Sequence, residues 1–172
     1  MILASASPRR RAILDQLGIA HEVVVPEVEE LSDGPPRELV LENARRKAAA
    51  VEGDLVLAAD TTVALDGAIL GKPADEAEAR SYLRRLSGGT HEVWSAVALG
   101  DRTAVDVTAV TFRELGPLLD WYLDTGEWEG KAGAYAIQGL GAALVERIEG
   151  DYNCVVGLPV AALLSIAPEL IG

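Results

Sequence analysis

The 172-residue chain has little of what most often carries covalent or metal-bound chemistry: one cysteine, Cys154, and two histidines, His21 and His91. A single cysteine excludes an intramolecular disulfide and any site of clustered thiolates. Beside Val155 and Val156, Cys154 reads as a small buried hydrophobe rather than a nucleophile. Each histidine opens a strand-like run (HEVVV, HEVWSAV), and neither has the spacing of a zinc site or a serine triad. Both are read as strand-edge residues. No apolar run approaches the roughly 20 residues of a membrane helix. MILASAS lacks the basic start of a secretory signal, so no membrane association and a cytoplasmic location are expected. Repeats, low-complexity tracts and linkers are missing too, which makes residues 1–172 one expected domain.

Positive charge is also scarce. Fifteen Lys and Arg stand against 27 Asp and Glu, a formal net charge of −12. That balance argues against a nucleic-acid partner, which calls for a basic surface. It makes clustered cations informative: a protein this acidic binds a polyphosphate only through a local positive site or a bound divalent metal.

Strands are expected at 2–4 and 21–25, with helices at 8–17 and from Pro36 to Val51, the latter closed by Gly53. LVLAADTTVAL reads as a strand buried on both faces in its first half. Asp66-Gly67 marks a hairpin into AIL. Asp75 and Glu78 have capping-box spacing for a helix ending at Ser87-Gly88. HEVWSAVAL and TAVDVTAVTF form a hairpin, GPLLDWYLDT a short helix, and GEWEGKAGAYAIQGLGA a loop. ALVERIE is a strand, and a last helix opens at Pro159. The pattern predicts an α/β fold with a mixed sheet.

Five places carry candidate chemistry. In SPRRR, Ser7 is a plausible N-cap and Pro8 fits the first helical position. Arg9 and Arg10 then sit at the positive end of a helix, where acidic residues are normally favoured. Free N–H groups and guanidinium forks suit a phosphate there; pairing with surface carboxylates is the plain alternative. Lys47 falls on the inward stripe of its helix, needing either a partner or a stem that reaches water. Asp60 stands where a buried strand reaches the sheet edge, the usual ligand position in open α/β sheets. A carboxylate there can hold a cation or take a proton from water, or simply bond to backbone. Lys72 is held between Gly71 and Pro73. Glu29 and Glu30 follow another strand end; one of them beside Asp60 would complete a magnesium site.

The segments LASASPRRRAILDQLGI, VEE, ARRKA, AADTTVALDGAILGKP, LRRLSGGTHEV, KAGAYAIQGLGA and GDYNCVVGLP follow one another along nearly the whole chain. They closely resemble the Maf-like nucleotide pyrophosphatase family, also called septum formation inhibitor-like proteins. The resemblance implies a mixed, strongly twisted sheet flanked by helices, with a cleft at strand ends. It implies hydrolysis of a nucleoside triphosphate between the α and β phosphates with a divalent metal (Mg2+, Mn2+ or Co2+). Asp60 would be the general base, Asp60 and Glu30 the metal carboxylates, and Lys72 a catalytic cation. Ser5, Ser7, Arg10 and Lys47 would bind substrate, and the family's register favours Glu30 over Glu29. A homodimer is possible by the same resemblance.

The family divides by substrate. Arg9, Thr61 and Gln138 match the dTTP/UTP branch at all three positions that separate it from the 7-methyl-GTP branch. The Gln138 amide both donates and accepts, as the carbonyl and N–H edge of uracil or thymine requires. Modified pyrimidine triphosphates are further expected substrates. A purine nucleotide substrate, or a non-catalytic role in cell division, are the alternatives. Ala136 stands where relatives commonly have glycine, with an expected change in local backbone freedom.

Overall fold

Strand β3 (Val56–Leu65) organises the computed structural model, which describes residues 1–171. One of its edges pairs antiparallel with β5 (Thr90–Leu99) from Leu57 through Ala64. The other edge is shared. Strand β1 (Ile2–Ala4) lies parallel to Val56–Ala58, and β4 (Ala68–Leu70) folds back on Val63–Leu65. Beyond β1 lies parallel β2 (Glu22–Val24); beyond β5 lie antiparallel β6 (Arg102–Phe112) and β7 (Val145–Glu149). The result is a seven-stranded mixed sheet of order β2-β1-β3-β5-β6-β7, with β4 also on β3. The β3–β4 turn takes positive φ at Asp66 and Gly67, as a two-residue hairpin of this twist requires.

Side chains alternate across β3, so its two faces meet different layers. Helix α2 (Pro36–Ala49) covers one face, where Val40 and Ala44 meet Ala96 and Ala98. Small residues on both sides let that helix lie close. The larger core, on the other face, joins Leu57, Ala59, Val63, Val93 and Val97 to the remaining helices. These are α1 (Pro8–Gln16), α3 (Glu76–Leu86), α4 (Pro117–Asp124), α5 (Tyr152–Val156) and α6 (Val160–Ile166). Asp75 caps α3 by accepting from the Glu78 N–H at 2.8 Å, as its spacing predicts. No helix among the described residues is long and apolar enough to cross a membrane.

Four local expectations are corrected. Ser7 occupies the N-cap position of α1, but its side chain makes no cap bond; its N–H donates to Ser5 Oγ at 3.1 Å. Helix α2 closes at Ala50, in right-handed conformation, rather than at Gly53. Gly53 packs instead: a Cβ there would stand 2.5 Å from Ile2 Cδ1. His91 is no edge residue, being 2% exposed inside β5 with Nε2 2.9 Å from the Tyr135 hydroxyl. Helix α5 was not anticipated. At five residues between Gly150 and Gly157 it is too short to show a helical period.

Candidate active site

Strands β1 and β4 leave Ala59–Thr62 without a strand partner on one edge of β3. Asp60 and Thr61 lie in this gap, on opposite faces of the strand. Because the edge is open, both faces give onto one cleft of about 910 Å³. A pocket of this size holds a nucleotide-sized ligand.

On the α2 face Asp60 is 6% exposed and Lys47 7%. The Lys47 ammonium donates to Asp60 Oδ1 at 2.6 Å and reaches Glu30 Oε2 at 3.1 Å. Lysine that deep needs a partner, and it has two. Asn43 donates to Asp60 Oδ2 at 3.1 Å and also holds the backbone of Leu31, accepting from its N–H at 2.8 Å and donating to its carbonyl at 3.0 Å. One amide thus ties the segment carrying Glu30 to the strand carrying Asp60. Glu30, and not Glu29, is among the residues that line the cleft; the Glu29 carbonyl accepts from Arg46 at 3.4 Å.

On the other face, α5 explains the arginines. Its C-terminal carbonyls carry partial negative charge, which favours cations. Arg10 Nε donates to the Gly157 carbonyl at 2.7 Å, and Arg9 Nε to that of Val156 at 3.3 Å. Arg10 also donates to Thr61 Oγ1 at 3.2 Å and Ser5 Oγ at 3.3 Å. Thr61 Oγ1 lies 2.5 Å from Ser95 Oγ, which donates to the Asp60 carbonyl at 3.2 Å. Arg11 points outward toward Asp15 at 3.7 Å.

Burial lowers the pKa of the Arg10 guanidinium below its ordinary value, against the opposing charge of Asp60. Burial also works against ionisation of Glu30. The charge and hydrogen bond of Lys47, with Lys72 and Arg10, outweigh it and hold the Glu30 carboxyl below its usual range.

Ser5, Ser7, Arg9, Arg10, Glu30, Lys47, Asp60, Thr61, Lys72 and Gln138 all line this cleft. Among the described residues, five of the chain's 15 basic side chains line it, against two of its 27 acidic ones, Glu30 and Asp60. The fifth cation, Lys131, was missed by sequence reasoning, as were Asn43 and Ser95. Asn43 carried a readable signal, since it lies one helical turn before Lys47. Ser95 needed the β3–β5 register, which pairs it with Thr61. Ala136 needs no glycine-like freedom; the loop's positive φ angles fall at Gly126, Gly130, Gly133 and Ala134. Cys154 is fully buried, and burial pushes its thiol up to about 12, so it offers no thiolate.

Glu30 and Asp60 are the cleft's carboxylates, both meeting one ammonium, and offer hard oxygen donors to a cation.

The family described as Maf-like protein matches residues 1–170. A protein of Anaeromyxobacter dehalogenans named dTTP/UTP pyrophosphatase is 54% identical over 172 residues, covering 94% of this chain and 89% of that one. A protein of the same name from Thermus thermophilus is 50% identical, with 96% and 92% covered. One from Pyrococcus furiosus, again so named, is 47% identical, with 96% and 93% covered. With a match this long and relatives this similar, the chain belongs to the Maf-like protein family.

Proposed function

We propose that the chain hydrolyses dTTP and UTP, and modified pyrimidine triphosphates, to the nucleoside monophosphate and pyrophosphate. The observation that carries this reading is the cleft at the open edge of β3. It gathers Arg10, Lys47 and Lys72 around Glu30 and Asp60, with Arg9, Thr61 and Gln138 on the same walls. The similarity to relatives named dTTP/UTP pyrophosphatase supports the substrate class.

Arg10, Lys47 and Lys72 bind the phosphate chain, and Ser5 and Ser7 add polar contacts beside the free N–H groups that open α1. Glu30 and Asp60 fit a divalent cation such as Mg2+, because two carboxylates plus substrate oxygens and water complete the coordination such ions take. When bound, that ion neutralises phosphate charge and activates water. Asp60, held by Lys47 and Asn43, takes the proton of the water that attacks the α-phosphorus. Positioning and electrostatics carry the step, so no covalent nucleophile is needed. Gln138 and Arg9 read the base end.

The test is a panel of dTTP, UTP, CTP, GTP and 7-methyl-GTP at equal concentration with Mg2+, following pyrophosphate and monophosphate release. The expected result is preference for dTTP and UTP, with activity falling about 10²-fold or more in Asp60→Asn. That variant should still fold, since it keeps the side chain's shape and leaves Glu30 on Lys47. A purine product outrunning dTMP and UMP would overturn the substrate assignment.

A further inference from the structure

Gln138 is exposed and sits on a glycine-rich segment outside any long helix or strand, yet reading a base requires it to be held still. Its support comes from the end of α4. The Tyr122 side chain is fully buried, and its hydroxyl accepts from the Ala136 N–H at 3.2 Å, two residues before Gln138. The same hydroxyl donates to Glu127 Oε2 at 2.9 Å. Glu127 then accepts from the Leu140 N–H at 2.9 Å and the Gly141 N–H at 2.8 Å, two and three residues after Gln138.

These bonds hold the segment on both sides. Leu140 and Gly141 open a 3-10 helix (Leu140–Leu144) that has no cap of its own, and the Glu127 carboxylate supplies the missing acceptor. Gly139 makes room for it: a Cβ there would stand 1.9 Å from Glu127 Oε1. The bridge closes on itself where the Gly139 N–H donates to the Ala136 carbonyl at 3.1 Å. Arg9, on the facing wall, is near enough to feel the charge of Glu127.

We propose that Tyr122 and Glu127 are a positioning pair for base recognition: they clamp Ala136 and Leu140–Gly141 so that Gln138 meets the pyrimidine edge. The inference rests on the proposed pyrimidine triphosphatase reading and deepens it. Neither residue lines the cleft, so neither touches substrate. Their effect falls on discrimination between bases and leaves the phosphate end, built on α1, α2 and β3, unchanged.

Glu127→Gln and Tyr122→Phe test this. A glutamine amide cannot accept at both oxygen positions, and phenylalanine leaves the Ala136 N–H without its acceptor. Values of kcat and KM are measured for dTTP, UTP and CTP with Mg2+, alongside inhibition by inorganic tripolyphosphate, which has no base. The expected result is a rise in KM for dTTP and UTP of about tenfold, with their advantage over CTP reduced by a similar factor. Tripolyphosphate inhibition should stay within about twofold, a separation that general loosening of the fold would not produce. Should Glu127→Gln fail to fold, Tyr122→Phe and Gly139→Ala decide, the latter pressing a methyl group onto the clamp. Unchanged discrimination, or equal losses for tripolyphosphate and nucleotides, overturns the inference. A wild-type protein inactive on dTTP and UTP instead overturns the proposed function, and the inference with it.

Discussion

Lys47 shows how a single side chain sets the character of the cleft. Its side chain is buried, and among the described residues its ammonium is the one that forms ion pairs with both carboxylates. That role was legible in part: helical spacing put Lys47 inward, but the expectation that the strand reaches the sheet edge at Asp60 is corrected, since β3 runs on to Leu65 and the opening there comes from the gap between β1 and β4. The pairing of the two needed the fold. His91 was read less well, because its neighbours in sequence say nothing of Phe112 and Tyr135, which pack edge-on against its ring. Its Nδ1 is buried with no hydrogen-bond partner among the described residues, and burial pushes its pKa down from 6.5 to about 4. Between those values the unfolded chain takes a proton that the folded chain refuses. The neutral-His91 contribution is therefore intact near pH 7 and is lost as pH falls from about 6.5 toward 4. At pH 5 the loss is about 2 kcal/mol relative to pH 7. Urea unfolding at the two pH values should show that difference, and His91→Gln should flatten it. An equal slope in the variant would assign the acid sensitivity to other groups.

At the scale of elements, the informative feature is an interruption. A fully paired β3 would bury Asp60 in a continuous sheet; ending β1 at Ala4, opposite Ala58, and β4 at Leu70, opposite Val63, leaves the strand open where the carboxylate sits. Most strands, the hairpins and the Asp75 cap could be read from apolar periodicity and turn residues. The gap could not, since it depends on which strands pair and in what register. Helix α5, whose carbonyls hold both arginines, was equally hidden by its length. The sequence raised the question of two arginines at the wrong end of α1, and only the tertiary contact with α5 answers it. Lys72 has a comparable support. Gly133 takes φ of +66°, its N–H donates to the Gly71 carbonyl at 3.1 Å, and a Cβ there would stand 2.8 Å from Val63 Cγ2. Gly133→Ala therefore meets both backbone strain and a clash. It should cost about 1–3 kcal/mol in urea unfolding and raise KM for triphosphate by shifting the segment before Lys72. A variant of unchanged stability and KM would show that this close approach is dispensable.

At the scale of the whole molecule, the charge distribution decides how a ligand is held. A chain of net charge −12 repels a triphosphate from most of its surface, while its cleft carries five cations against two carboxylates. The two carboxylates already meet Lys47, so Mg2+ alone gains little by displacing that ammonium. On the proposed function a nucleotide would change the balance, because its phosphates would engage the cations and complete the coordination of the ion. Binding of metal and nucleotide should then be mutually reinforcing. The measurement is the melting temperature of the wild-type chain with an α,β-methylene analogue of dTTP, in which the scissile bond cannot be cleaved. At 100 times Kd a ligand specific for the folded state adds about 2.7 kcal/mol, or roughly 5–10 °C for a chain of this size. Mg2+ with the analogue should give that rise, whereas Mg2+ alone, or the corresponding GTP analogue with Mg2+, should give about 1 °C or less by the same relation at low occupancy. Full stabilisation by Mg2+ alone would mean that Glu30 and Asp60 bind the ion without substrate. Equal stabilisation by the two nucleotides would remove base recognition from the wall that carries Gln138 and Arg9.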